Sequence, residues 1–328
     1  MLDHGGNIYS MAKKYARPIA DCLDLSTGIN PNSWTVPTDL PPSIWQQLPQ
    51  DNDGLLSSAQ RYYQCESLLA VAGSQAAIQA LPYCRIKSRV GILSPAYAEH
   101  HHAWQQAGHT IVILDLTTIE QQIASLDVLI IINPNNPTGD TFSVKQLLNW
   151  HHQLAKKKAW LIVDEAFIDI TPELSLSSIC PQPGLIVLRS IGKFFGLAGL
   201  RVGFVLADNA LLSQLKECLG PWPIATSSRY ISQMALADSA WQVTTRQQLL
   251  AMERRLQKLL EHYHLFSTGC ALFQWLQTDH AASIYHQLAQ QGIHTRLFDS
   301  PSSIRFGLPK TEYDWNRLET ALQQVKLS

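Results

Sequence analysis

The stretch LRSIGKFFGLAGLRVGF, from Leu188 to Phe204, sets Lys193 and Arg201 among glycines and apolar residues. A long cationic side chain is almost never fully buried without a partner, and an unpaired buried charge is expensive. Either an anion meets these residues or the segment is not core. Ser190 and Arg201 are suited to a phosphate dianion, one through a hydroxyl and the other through a forked guanidinium. Lys193, in a glycine-flanked loop with apolar neighbours, suits an amine that forms an imine with a carbonyl compound.

Four other places carry residue types that could do chemistry. In LLAVAGSQAAIQAL a strand passes through Gly73 into a helix, so the backbone N–H groups of Ser74 and Gln75 could meet a phosphate; a purely structural turn would read the same. In SPAYAEHHHAW, Tyr97 sits between a strand and a helix, where it could stack on a planar ligand or fill the core. The run His100–His102 points in successive directions around a helix and cannot chelate one metal; only His100 is near Tyr97. In IIINPNNPTGD two Asn-Pro steps fix a turn from which Asn133, Asn135 or Asn136 could be aimed at a ligand oxygen. In WLIVDEAF, Asp164 and Glu165 end an apolar strand and need a cation or donor, either a structural ion pair or a protonated ring nitrogen.

These residues fall where a sheet would put them. The segments LLAVAG, RVGILS, TIVIL, VLIIIN, WLIVDEA, LIVLRS and RVGFVLA read as strands, most of them separated by helical patterns such as YAEHHHAWQQAG and SVKQLLNWHHQLAKKK. That alternation predicts a mainly parallel α/β sheet, with chemistry at the carboxyl ends of its strands. From Pro221 the character changes. Pro221-Trp222-Pro223 suggests a hinge, a long helix places Leu249, Met252, Leu256 and Leu259 on one face, and the rest reads as a smaller α+β domain. Residues 1–40 read as an extended arm packing with that small domain, 41–220 as the large domain, and 221–328 as the small one.

With 46% apolar and 16% charged residues the chain has an ordinary globular composition, and disorder is excluded. A formal net charge of −1 offers no field for nucleic acid or an anionic membrane. The cysteines Cys22, Cys65, Cys84, Cys180, Cys218 and Cys270 show no metal-ligand spacing and read as reduced thiols. No signal peptide or membrane span is recognisable, so a cytoplasmic protein acting on a small ligand is expected, with no metal.

In order and spacing these motifs resemble the fold-type I pyridoxal-phosphate enzymes, the aspartate aminotransferase-like group, from about Gly73 to Gly203. The resemblance implies a large domain with a mainly parallel seven-stranded sheet plus a smaller α+β domain, with pyridoxal 5'-phosphate as cofactor. It further implies that Lys193 binds the cofactor aldehyde and shuttles protons, Asp164 pairs with the ring nitrogen, Asn136 bonds the ring 3-oxygen and Tyr97 stacks on the ring. Ser74, Gln75, Ser190 and Arg201 would hold the cofactor phosphate, and Arg305 in SIRFGLP would pair with the substrate carboxylate.

Within the group the chain is most similar to the histidinol-phosphate aminotransferase branch, and more narrowly to the threonine-phosphate decarboxylases of cobalamin biosynthesis. HGGN at His4–Asn7 and LDLSTGINPNSW at Leu23–Trp34 narrow it, because they lie outside the cofactor core. The implied reaction takes L-threonine O-3-phosphate to (R)-1-amino-2-propanol O-2-phosphate and CO2. His4, Asn7, Gly28, Asn30, Arg296 and Arg305 would bind substrate, although Arg296 could equally be a solvated surface charge. A homodimer with sites at the interface is implied. Two departures bear on the aminotransferase pattern: Phe167 stands where relatives carry tyrosine, and Leu48 and Asp53 stand where they carry a Tyr-Pro-Asp-Tyr-type segment. The alternatives are an aminotransferase for histidinol phosphate or a similar amino-phosphate, and a non-catalytic ligand-sensing module. A dinucleotide oxidoreductase is excluded by the missing G-x-G-x-x-G.

Overall fold

A computed structural model describes residues 4–326. The chain divides into two compact units. The larger comprises Ser33–Asn135 and Thr141–Thr244, and the smaller takes the residues up to Asn32, Asn136–Asp140 and those from Thr245.

The larger unit is built on seven strands: β1 (Leu68–Val71), β2 (Arg89–Leu93), β3 (Thr110–Leu114), β4 (Val128–Ile132), β5 (Trp160–Asp164), β6 (Leu185–Ser190) and β7 (Gly203–Leu206). Their order is β1-β7-β6-β5-β4-β2-β3. All neighbours are parallel except β7, which is antiparallel to both β1 and β6. The strands are those the apolar runs predict. β4, β6 and β7 are buried along their whole length, as continuous apolar runs covered on both faces should be. At the edge, β3 leaves Ile113 more than half exposed.

Helices α1 (Leu55–Tyr63), α2 (Ser74–Ala80), α3 (Ala98–Gln106), α4 (Val144–Ala155), α5 (Asn209–Leu219) and α6 (Thr226–Ala237) also belong to this unit. Ser143 and Asp208 cap α4 and α5 by accepting the backbone N–H three residues on, which satisfies one of the four orphan donors at each start. α6 packs on α1, so the larger unit runs past Pro221 as far as Thr244. The main core gathers Ile78 and Leu81 behind α2, Val90, Ile130, Ile162, Leu188 and Val205 from the sheet, and Leu215 from α5.

The smaller unit holds an antiparallel sheet of β8 (Thr268–Cys270), β9 (Phe273–Gln277), β10 (Arg296–Asp299) and β11 (Ser302–Gly307), in the order β10-β11-β9-β8. Leu23–Asp24 pairs in parallel with Ile293–His294, which ties the N-terminal segment into this unit. The long helix α7 (Ser239–His262) precedes the sheet, α8 (Ala281–Gln290) lies within it in sequence, and α9 (Glu312–Gln324) starts from a Thr311/Asp314 capping box. On α7 Gln242, Thr245, Leu249, Leu256 and Leu260 are buried; Met252 and Leu259, expected inside, are only half-buried, Leu259 because the 3.6-residue period carries the stripe one position on. Among the described residues no helix is long and apolar enough to cross a membrane.

Candidate active site

In the larger unit, strand ends bring three expected residues together. Gly73 joins β1 to α2 at φ +73°, ψ 158°, a conformation open essentially to glycine alone. A Cβ there would lie 2.8 Å from Arg201 Nη2, so the guanidinium rests directly against the turn. Gly203 opens β7 and pairs with Ser190 of β6, and a Cβ there would lie 2.6 Å from Ser74 N, too close to fit. Bare backbone at Gly73 and Gly203 thus lets Ser74, Ser190 and Arg201 converge. Arg201 itself has φ +53° and donates to Ala198 O, with its side chain exposed.

Gln75 is drawn into a neighbouring polar set. The Tyr97 hydroxyl donates to Gln75 Oε1 at 3.1 Å, and Gln75 Nε2 donates to Glu99 Oε2 at 2.7 Å. Burial pushes the Tyr97 phenol up to about 12, and the carboxylates of Glu99 and Asp164 add to it while Arg201 opposes. Asp164, at the end of β5 and almost wholly buried, lies 2.9 Å from His100 Nε2 and accepts from Ala166 N at 3.1 Å. Tyr97 meets His100 edge to face, with ring centroids 6.3 Å apart.

The loop after β6 places Lys193 Nζ 5.4 Å from the centre of the Phe167 ring. Phe167 therefore presents an aromatic face where relatives are expected to present a hydroxyl. Behind the loop, Arg189 and Glu165 point away from Ser190 and Asp164, as strand alternation requires. Arg189 donates to Glu165 Oε2 (2.8 Å), Ser175 Oγ (2.9 Å), Ser177 Oγ (3.0 Å) and Asp169 Oδ1 (2.5 Å). Tyr62 adds a hydroxyl to Asp169 at 2.8 Å. Burial raises the Glu165 carboxyl against the pull of Arg189. It also works against the charge of Arg189, but Asp169 and Glu165 outweigh it and hold the guanidinium above its ordinary value.

The turn after β4 splits the asparagines by role. Asn133 is spent on the backbone N–H and C=O of Phe142, and Asn135 donates to Pro95 O. Asn136 belongs to the smaller unit, where its Oδ1 accepts from Arg305 Nη1. Arg305 also donates to Ser26 O at 2.8 Å, and its buried Nε has no hydrogen-bond partner. Burial pulls this guanidinium down to about 10. Arg296 is its direct cross-strand neighbour, half-buried on β10.

The N-terminal segment is shaped by contact with Ser26. Gly6 N donates to Ser26 Oγ at 2.7 Å, and a Cβ at Gly5 would sit 2.3 Å from Ser26 O. His4 is exposed at its start, and Asn7 Oδ1 caps the helix Ile8–Lys14. Gly28 and Asn30 are buried, and Asn30 Oδ1 accepts from Asn32 N at 2.9 Å.

Sequence reasoning left Arg189, Asp169 and Tyr62 without a role. A single arginine in the apolar run LIVLRS was the available signal, since only a buried acid could make it tolerable. Asp53, whose place in the departing segment was open, pairs with Arg229 through both carboxylate oxygens and accepts from Leu55 N at the start of α1.

The chain matches the family model for aminotransferase class I and II over residues 21–321. It is 50% identical to a threonine-phosphate decarboxylase of Pseudomonas aeruginosa over 99% of this chain and 98% of that protein. A threonine-phosphate decarboxylase of a Sinorhizobium species is 35% identical, again over 99% and 98% of the two chains. In fold it resembles a Sinorhizobium meliloti histidinol-phosphate aminotransferase solved with pyridoxal-5'-phosphate, at a TM-score of 0.82 and 16% identity over 99% of this chain and 95% of that one. That likeness shows the fold alone, a fold-type I architecture with a mainly parallel sheet. The chain belongs to the aminotransferase class I and II family of pyridoxal-phosphate-dependent enzymes, in the branch that holds the threonine-phosphate decarboxylases.

Proposed function

We propose that this protein decarboxylates L-threonine O-3-phosphate to (R)-1-amino-2-propanol O-2-phosphate and CO2, supplying the aminopropanol linker of cobalamin. The full-length 50% identity to a threonine-phosphate decarboxylase carries the reading, because it extends through the N-terminal and C-terminal segments that differ with substrate. The residues present fit the cofactor. The cradle that a Cβ at Gly73 or Gly203 would fill, with Ser74, Ser190 and Arg201 around it, fits a phosphate monoester. Buried Asp164, with His100 beside it, fits a protonated ring nitrogen.

Bound pyridoxal phosphate supplies an electron sink for the bond that breaks at the substrate Cα. Lys193 is the residue for its aldehyde, and afterwards the amine that returns a proton to Cα once CO2 has left. Asn136 would bond the ring 3-oxygen, Tyr97 and Gln75 would flank the ring and its phosphate, and Phe167 would keep water from Lys193. Arg305 would grip the substrate carboxylate as a fork and fix the angle at which it leaves. Arg296, with His4 and Asn7, would receive the substrate phosphate, and Gly28 and Asn30 would help Arg305 set the angle of the carboxylate. The pairing of Leu23–Asp24 with Ile293–His294 supports an N-terminal arm that packs with the small domain. A cytoplasmic homodimer completes the reading.

The test is incubation of the loaded protein with threonine phosphate, and separately with histidinol phosphate and 2-oxoglutarate. CO2 and the amino alcohol phosphate are expected from the first, with no keto acid. Glutamate from the second, without CO2 from the first, would make the protein an aminotransferase instead.

A further inference from the structure

The loop that carries Lys193 is bounded by Gly192 and Gly196, the latter at φ +68°. Glycines give such a loop little stiffness of its own. A backbone turn bond runs within it from Gly196 N to Lys193 O at 3.1 Å. Gly192 N also donates to Ser190 Oγ at 3.2 Å, and Phe194 and Phe195, both fully buried, tie the loop to the body of the larger unit.

Phe195 belongs to a closed circuit of four residues, all in the larger unit. Trp34 N donates to Phe195 O at 2.9 Å. The Phe195 ring stacks on Trp241, with centroids 5.6 Å apart and planes 13° from parallel. Trp241 N donates to Asp238 Oδ1 at 3.0 Å. Asp238 Oδ2 accepts from the Trp34 indole Nε1, also at 3.0 Å, and the circuit closes. Trp241 additionally meets Phe194 edge to face at 5.4 Å.

The Asp238 carboxylate thus has two tasks. One oxygen caps the first turn of α7 and the other holds Trp34, which is 7% exposed. An indole N–H to a carboxylate is a charge-assisted bond with one geometry, so it fixes the direction of the Trp34 ring and backbone together. Neither residue needs to touch cofactor or substrate for this to matter. A displacement near 1 Å at a reacting group already costs about 100-fold in rate.

We propose that Trp34 and Asp238 are positioning residues that hold Lys193 in place through Phe195. The inference rests on the role given to Lys193 above. The competing explanation is that the circuit serves only to start α7 and stabilise the fold. Asp238→Asn keeps a single acceptor oxygen, which can serve the cap or the indole but not both; Asp238→Ala loses both, and Trp34→Phe removes the indole N–H while keeping an aromatic ring.

In full-length protein loaded with pyridoxal phosphate, kcat and KM, the pH dependence of the bound cofactor's absorption, and the thermal midpoint would be read for each variant. Trp34→Phe and Asp238→Ala are expected to lower kcat by about tenfold or more with KM within about threefold, and to move the absorption midpoint by about half a pH unit. Asp238→Asn, with one of the two bonds lost, should fall between wild type and Asp238→Ala in kcat. A fall in thermal midpoint with kcat and absorption unchanged would overturn the inference. Should Asp238→Ala fail to fold, Trp34→Phe decides by the same readings. Wild-type protein that takes up no cofactor would overturn the function itself, a result distinct from a variant that behaves as wild type.

Discussion

Arg296 and Arg305 stand directly opposite one another on adjacent antiparallel strands. Like charges in that relation repel, and the interior one is buried with its Nε lacking a hydrogen-bond partner. The phenyl faces of Phe298 and Phe273 lie 5.2 Å from Arg296 and 4.9 Å from Arg305, so each cation has an aromatic surface beside it. A substrate carrying a carboxylate and a phosphate would neutralise both cations at once, and a simple amino acid would neutralise only one.

Arg305→Lys is therefore expected to fail as a conservative change. Lysine supplies the charge but cannot hold Asn136, Ser26 O and a carboxylate through one planar fork. Loss of a charged hydrogen bond worth about 2–3 kcal/mol corresponds to a fall of roughly 30- to 150-fold in kcat/KM for threonine phosphate. Steady-state kinetics would measure it, with cofactor uptake unchanged.

Arg296→Ala should act on the phosphate end alone. KM for threonine phosphate is expected to rise about tenfold or more with kcat little altered, because the interaction is the same in ground and transition states. Equal kinetics for wild type and variant would return Arg296 to the status of a surface charge.

How far the sequence was legible follows from the physical range of each signal. The strands could be read because buried parallel strands are continuous apolar runs, and the Gly73 turn because only glycine adopts its backbone. The partner of Asp164 was harder. His100 lies on α3, 64 positions earlier, and nothing local marks it off from His101 and His102. Arg189 could be seen to need an acid, but which acids lay near required the crossing of β5 and β6. The roles of Asn133 and Asn135 stayed open for the same reason, since their partners Phe142 and Pro95 are set by the folded turn.

Asp164→Asn should cost far more than His100→Gln. The amide keeps a hydrogen-bonding shape but loses the charge that favours a protonated ring nitrogen, and CO2 release is expected to fall by about 10²–10³. His100→Gln leaves the carboxylate in place with a substitute donor, and a loss of about tenfold is expected. The two rates, with the absorption spectrum of each loaded variant, check the order.

Gly73→Ala tests the cradle. A side chain at φ +73°, ψ 158° costs about 1–3 kcal/mol of backbone strain, and its Cβ would press on the Arg201 guanidinium. Weaker pyridoxal-phosphate binding in an absorbance titration is expected, and Arg201→Ala should weaken it in the same way. If Gly73→Ala lowers the unfolding midpoint of the cofactor-free protein while the titration is unchanged, the turn is structural and the phosphate sits elsewhere.

Arg189→Met separates stability from chemistry at the back of the sheet. The substitution leaves Glu165 and Asp169 buried without their cation, and removing one partner of such a group costs about 3–5 kcal/mol. Glu165 is already pushed up by burial, and without Arg189 it should take up a proton on folding. A group whose pKa is raised in the fold stabilises below its unfolded value and loses that contribution as pH rises through the folded one. The variant should therefore be less stable than wild type at neutral pH and recover part of the difference as the solution is acidified. Denaturant midpoints of both proteins across that range would show the gap narrowing, and a gap independent of pH would assign the loss to packing against Tyr63 rather than to charge.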